Sequence, residues 1–285
     1  MKYNMQLELV DGEDKLSLND PKESIYLTAS LDGLSGLPPI RTSSGNNVGA
    51  DGGWVAAQLF DARPIVVNGV IANSDISIVE EKRRKLNSFL ARKKMALTIT
   101  TEAGSTYSVY VRVMEVEMNL GDYLESQPFM ITFRADDPLI YSGDANGDSK
   151  ATLLVKKPGD GFLIPFNLPL TIPGSSSDTN VKNEGNSAVD TIIKLYGPLH
   201  SPTIVNKTTN KQMQIIKDLV EGDIVEIDSK FKTITLNGVD IYNYKSPESS
   251  FITIEKGNNM MYLTSLTTGD LGKAEIYFKS GFYSI

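Results

Sequence analysis

Only one stretch of this 285-residue chain, about residues 79–93, has the apolar spacing of a helix. Almost everything else reads as short alternating runs separated by turn residues. Val79, Leu86 and Leu90, with Phe89 beside them, form a narrow apolar stripe, read as core-facing rather than as a cofactor lining. Ser77 followed by Glu80 has capping-box spacing and sets the expected helix start. A chain with so little helix must be mainly β. The expected architecture is an N-terminal β-sandwich-like domain with one covering helix, then a second β-sandwich.

At 285 residues, two domains are the natural division. A polar, glycine-containing segment at 142–150 is the expected linker, separating residues 1–141 from 151–285. In the first half, strands are expected at 5–9, 25–31, 63–71, 95–101, 107–117 and 129–134. A long irregular loop over 33–53 ends at the only tryptophan, Trp54. Loops of that length are usually functional or disordered, and a surface or partner-contact loop is favoured here. In the second half, strands are expected at 152–155, 188–196, 211–216, 223–227, 231–236, 239–242, 251–254, 260–265 and 274–278. Asn237-Gly238 between two of them signals a tight hairpin, because both residues tolerate positive φ.

Composition removes several kinds of chemistry. There is no cysteine, so neither disulfides nor thiolate metal sites hold the fold. The single histidine, His200, sits in a turn-like run and reads as a surface residue. No nucleophile elbow, Walker loop or zinc-protease segment is present. Asp136-Asp137 and Asp223 with Asp228 are acids in pairs, but nothing in their spacing places a pair across a common cleft. Asp144, Asn146 and Asp148 mimic the start of a calcium loop, yet Ser149 and Val155 stand where its glycine and bidentate glutamate belong. The expectation is no catalytic residue, no cofactor and no metal. Tyr242 with Tyr244, and Tyr262 with Met260, are weighed as a sugar-stacking surface, with burial in the sandwich core the favoured role.

Charge is unevenly distributed. The net charge of −7 argues against specific nucleic-acid binding. No apolar run approaches the roughly 20 residues that span a bilayer, and the N-terminus lacks the apolar core of a signal peptide. Residues 80–94 nevertheless hold seven Lys/Arg against Glu80 and Glu81. One reading is a solvated helix face with acids at the positive and bases at the negative end of the dipole. The other is a basic surface meeting a partner or a neighbouring subunit. All seven arginines lie within 1–141, whereas 142–285 uses fourteen lysines and no arginine. Arginine is enriched at interfaces and lysine depleted, which points to the first half as the packing half. The interface candidates are Arg83, Arg84, Lys85, Arg92, Lys93, Trp54 and Asp51.

One family resemblance joins these features. The first half, through Gly33-Leu34, Pro38-Pro39, Asp51-Gly52-Gly53, Arg63-x-Ile65, Asn68-Gly69, the basic helix and the Asp136-Asp137-Pro138-Leu139-Ile140-Tyr141 exit, resembles the distal tail proteins (Dit) of long, non-contractile-tailed phages. The second half is similar to their galectin-like domain. Its matching run is Gly185-Asn186, Ile192, Tyr196-Gly197-Pro198, Ile204-x-Asn206, Leu219, Gly222-Asp223, Glu226-Ile227-Asp228, Asn237-Gly238-Val239, Phe251 and Lys256-Gly257-Asn258-Asn259. The resemblance implies a non-enzymatic homo-hexameric ring at the virion tail tip, made in the host cytoplasm. Its implied partners are the tail tube protein, the tail-tip protein and, in some phages, receptor-binding proteins. A carbohydrate-binding module contacting cell-wall glycan is the alternative.

Overall fold

A computed structural model of the chain describes residues 3–9, 14–19, 26–91, 94–118, 126–143, 149–155, 178–267 and 270–285. The fold is mainly β, with one α-helix among the described residues, and divides into two compact units. The first comprises Met1–Gly147 with Phe282–Ile285, the second Asp148–Gly281. The second unit is thus inserted in the chain of the first, and residues 282–285 belong to the first unit.

The first unit contains β1 (Tyr3–Leu9), β2 (Lys15–Leu18), β3 (Tyr26–Asp32), β4 (Ile40–Asn46), β5 (Gly53–Phe60) and β6 (Arg63–Ala72). After helix α1 (Ile76–Leu90) come β7 (Met95–Thr101), β8 (Thr106–Glu117), β9 (Ser126–Ala135) and β10 (Ile140–Ser142). The main sheet runs β2-β1-β7-β8-β9-β6-β3, with every pairing antiparallel. Asn19, at φ 61°, links its two edge strands: its N–H donates to the Tyr26 carbonyl and its side-chain oxygen accepts from the Thr28 N–H, both at 2.8 Å.

The core follows from period-2 alternation. Arg63, Ile65, Val67 and Ile71 face inward from β6, opposite Phe129, Ile131, Phe133 and Ala135 of β9. Gly69 pairs with Phe129, and a Cβ on Gly69 would stand 2.5 Å from that ring, so only glycine lets the phenyl lie across the strand. Helix α1 adds Leu86, Phe89 and Leu90 to this core. The Tyr26 hydroxyl donates to the Lys82 carbonyl at 3.0 Å, tying the helix to edge strand β3.

The helix starts earlier than its sequence spacing indicates. Asp75 is the N-cap, its carboxylate accepting from the Ser77 N–H at 2.9 Å and from the Ser77 hydroxyl. Those bonds hold its pKa below the usual carboxylate value. Asp75 takes the role that a Ser77–Glu80 capping box would have filled. The loop expected over 33–53 is largely ordered as well: β4 and β5 form a separate antiparallel ribbon.

The second unit contains β11 (Ser149–Leu154), β12 (Thr179–Asn183), β13 (Val189–Asp190), β14 (Ile192–Tyr196), β15 (Thr203–Asn206), β16 (Lys211–Gln214), β17 (Ile224–Asp228), β18 (Thr233–Leu236) and β19 (Val239–Asp240). A 3-10 turn (Tyr242–Tyr244), β20 (Thr253–Ile254), β21 (Gly257–Thr264), β22 (Lys273–Phe278) and the boundary strand β23 (Gly281–Phe282) follow. A six-stranded sheet, β11-β22-β14-β17-β18-β19, and a four-stranded sheet, β12-β21-β15-β16, supply the two inner faces of a sandwich. Ile193, Leu195, Val225, Ile227, Ala274 and Ile276 line the first, and Val181, Ile204, Met213, Met261 and Leu263 the second. Asn237 and Gly238 both have positive φ, 49° and 84°, as the hairpin signal requires.

Candidate assembly site

The ribbon β4–β5 carries Trp54, with Asp51 in the turn at its tip. A bulge between Ser43 and Ser44 sets the register, in which Arg41 faces Leu59, Ser43 faces Ala57 and Gly45 faces Trp54. The indole lies across Gly45, where a Cβ would stand 2.8 Å from the ring. Even so Trp54 is 52% exposed and Leu59 is 56% exposed. Two strands without a buried face are by themselves marginally stable in water.

The basic run occupies the middle of α1 rather than its end. Lys82, Arg83, Arg84 and Lys85 lie in the helix interior, and neither the first turn is acidic nor the last turn basic. The dipole reading of this run is therefore corrected for the described residues: Glu80 and residues 82–85 lie away from the helix ends, and the charge that meets the macrodipole is the Asp75 carboxylate at the N-cap. Arg84 pairs with Glu80 at 3.2 Å, an exposed i,i+4 contact. Arg92 and Lys93 lie outside the described residues. The described candidates thus fall on two separate elements, the helix and the ribbon.

Arg63 has a role that no local pattern announces. It is 1% exposed. Its guanidinium donates to four backbone carbonyls: Pro138 at 3.0 Å, Gly36 at 3.1 Å, Gly33 and Tyr283. Burial lowers its pKa from the ordinary value. One side chain thereby joins the turn before the ribbon, the acidic exit and residues 282–285. Gly33 can serve because it sits at φ 96°, and a Cβ there would meet the Pro64 carbonyl at 2.2 Å. Phe282 adds an edge-to-face contact on Tyr107 with ring centroids 5.6 Å apart, and Tyr283 a tilted one on Phe60 at 4.9 Å. The Ile285 N–H donates to the Leu34 carbonyl at 3.1 Å. Beside this junction Leu31, Leu34, Ile99, Ala103, Tyr107 and Ile285 line an apolar groove of about 570 Å³, with Glu102 also on its wall.

The acids weighed for chemistry have structural partners. Asp136 accepts from Arg112 and Arg134, each at 3.1 Å. Asp137 accepts from the Tyr141 hydroxyl at 2.7 Å. Asp223 accepts from the Val220 N–H and from Asn237, and Asp228 from the Lys230 and Phe231 N–H groups. His200 is more than a loose surface residue: its Nδ1 lies 3.0 Å from Asp270, whose other oxygen accepts from Ser265. Asp270 thus stands between serine and imidazole, so the imidazole is not placed to activate the hydroxyl as a triad would. Among the described residues no three His, Asp or Glu side chains are grouped to hold a metal ion. Asp144, Asn146 and Asp148 lie outside the described residues. No described helix is long and apolar enough to cross a membrane.

The tyrosines weighed for sugar stacking are not in the sandwich core. Tyr242 and Tyr244 lie in the 3-10 turn and are exposed, as is Met260, while Tyr262 is half-buried. Lys217 sits 4.8 Å from the Tyr244 ring centroid and Lys207 5.1 Å from that of Tyr262. Alternation places Met261 and Leu263 inward, which turns Met260 and Tyr262 out.

The residues that carry the resemblance in the second unit do backbone work. A Cβ on Gly185 would stand 2.1 Å from the Gly281 carbonyl oxygen, and one on Gly197 2.0 Å from that of Val220. Asn206 is buried, donates to Asn259 at 3.2 Å, and accepts from the Thr208 N–H at 3.0 Å. Asn259 accepts from the Glu255 N–H and donates to the Glu255 carbonyl. These positions form a signature of a fold rather than of a reaction.

Comparison with known proteins agrees. Residues 184–281 match the family model described as the siphovirus-type tail component, C-terminal domain. Among curated proteins none matches the chain by sequence. The crystal structure of the Dit protein of phage SPP1 is similar at a TM-score of 0.69 and 16% identity, covering 99% of this chain and 100% of that one. Two structures of the phage P2 baseplate align at a TM-score of 0.49 and 14% identity, covering 100% of both chains. Residues 184–281 thus match the siphovirus-type tail component C-terminal domain, and the chain as a whole has the fold of the SPP1 Dit protein.

Proposed function

We propose that this chain is a structural, non-enzymatic hub protein of a phage tail tip. It forms a homo-hexameric ring that joins the tail tube protein to the tail-tip protein and the host-adsorption apparatus. The second unit is then the place where receptor-binding proteins attach, and the chain is made in the host cytoplasm before entering the virion. The observation that carries this is the end-to-end likeness to the SPP1 protein, which is described as a paradigm of the hub adsorption apparatus and whose fold is matched through both units. A ring of identical copies needs two different complementary surfaces. The ribbon with Trp54 and Asp51 and the basic helix with Arg83, Arg84 and Lys85 are the elements we assign to subunit contacts, with Arg92 and Lys93 assigned alongside the helix.

Native mass and negative-stain images of the purified chain test the proposal. Six-fold rings with a central hole are expected, and Arg83→Glu with Arg84→Glu should weaken them while leaving circular dichroism unchanged. A monomer that binds cell-wall glycan would overturn the hub in favour of the carbohydrate-binding module. Against that module, lysine ammonium groups already occupy a face of several tyrosine rings on which a sugar would stack.

A further inference from the structure

The ribbon and the groove of the first unit are complementary in chemistry. Alternation across the ribbon puts Trp54, Ala57 and Leu59 on one face with a single charged side chain, Arg41. The groove is lined mainly by apolar side chains, with the hydroxyls of Ser35, Thr101 and Ser105 and a single charged side chain, Glu102. Both charges are exposed, and among the described residues neither has an ion-pair partner. An apolar face with one unpaired cation thus matches an apolar groove with one unpaired anion. The ribbon cannot satisfy the groove of its own chain in this conformation, because Trp54 and Leu59 remain exposed.

We infer that the Trp54–Ala57–Leu59 face of one copy's ribbon seats in the groove of a second copy, with Arg41 meeting Glu102. The contact presupposes the ring proposed above and names its joint. It is heterologous, ribbon to groove, so each copy offers one of each and the joints can continue around a closed ring. β4 is seven residues long, so the ribbon reaches roughly 24 Å from its root at about 3.4 Å per residue. That is far enough to lie on a neighbour. The charge pair fixes register as the apolar face removes water.

The absence of cysteine makes a clean test possible. Arg41→Cys and Glu102→Cys are made in separate preparations, mixed, and treated with a short bis-maleimide. The expected product is a covalent dimer that neither preparation gives alone in comparable yield. In parallel, Arg41→Glu or Glu102→Arg alone should weaken self-association roughly tenfold or more, since like charges then meet, and the double exchange should restore it. A wild-type chain that self-associates, but shows neither the cross-link nor the restoration, overturns this joint and leaves the ring standing. A wild-type chain that stays monomeric up to its solubility limit counts against the ring and takes the joint with it.

Discussion

Arg63 in the first unit and Glu275 in the second are both buried charges, and they are held in opposite ways. Among the described residues Arg63 has no acidic partner, and its guanidinium N–H groups donate hydrogen bonds to four backbone carbonyls. Glu275 lies on the outer face of the six-stranded sheet under a canopy of side chains. One of its oxygens accepts from Lys150 at 2.9 Å and Lys273 at 2.8 Å. The other accepts from the phenols of Tyr196 at 3.0 Å and Tyr277 at 2.7 Å. Carbonyls cannot be mutated away, so the first arrangement depends on one side chain. The second is shared among four. A buried charge held by backbone joins distant segments of chain, whereas one held by side chains stabilises a surface.

The largest expected effect follows from that dependence. Arg63→Ala leaves several carbonyls without a donor in the interior and should cost the first unit roughly 3 kcal/mol or more. Hydrogen exchange should show lost protection in β6 and β10 while β14, β17 and β22 keep theirs. Arg63→Lys should recover only part, because an ammonium cannot fork toward carbonyls on several sides. Equal protection in wild type and Arg63→Ala would show that the four bonds contribute nothing net. A chain ended after Gly281 removes one of the carbonyls together with Phe282, Tyr283 and Ile285. It should destabilise the first unit by roughly 2 kcal/mol through lost aromatic burial, read as a lower thermal midpoint of that unit.

Glu275→Gln comes next. Hydrogen bonds from Lys273, then Tyr277 and Lys150, hold the carboxyl well below the usual carboxylate range, despite a burial that opposes ionisation. The same carboxylate and burial act on its neighbours: burial first, then Glu275, pushes the Tyr196 phenol up to about 12, and Glu275 raises the Lys150 ammonium. Since the folded state binds this proton less readily than the unfolded state, ionised Glu275 stabilises the fold fully above the ordinary carboxylate pKa of about 4.3. That contribution is lost as pH falls below it. The glutamine variant should lose roughly 2 kcal/mol near neutrality and show a flatter acid limb in urea titrations. An acid limb identical to that of wild type would exclude Glu275 as its source.

The two charges also differ in how far sequence exposes them. Lys273, Glu275 and Tyr277 alternate on β22 and read at once as one outward face. Arg63 opens a strand and reads as an ordinary polar start, because its partners come from residues 33, 36, 138 and 283. The same contrast runs through the fold. Residues 95–101 were expected as a strand and are one, since apolar character persists along them. Thr179–Asn183 and Thr203–Asn206 escape notice because an inward position in each is a buried asparagine, which hides the alternation. The ribbon strand Ile40–Asn46 has no buried face at all, so no periodicity betrays it. Of the assembly site, the basic helix and Trp54 are legible as residue types. The groove is not, because it is assembled from β3 and the turn after it, β7, β8, the turn between those two strands and residue 285.

The smallest effects test whether Glu275 is really shared. Lys150 and Lys273 are 46% and 43% exposed, and each meets the same carboxylate oxygen. Removing either alone leaves the other ammonium and both phenols in place, so Lys150→Ala and Lys273→Ala should each shift the urea midpoint less than Glu275→Gln does. Removing both strips Glu275 of its neighbouring cations and leaves a buried anion facing only two phenols. The double variant should therefore lose more than the two single losses together, and the carboxyl should titrate closer to its ordinary range. Additive losses would mean that the two lysines act as independent surface charges rather than as alternative partners of one buried acid.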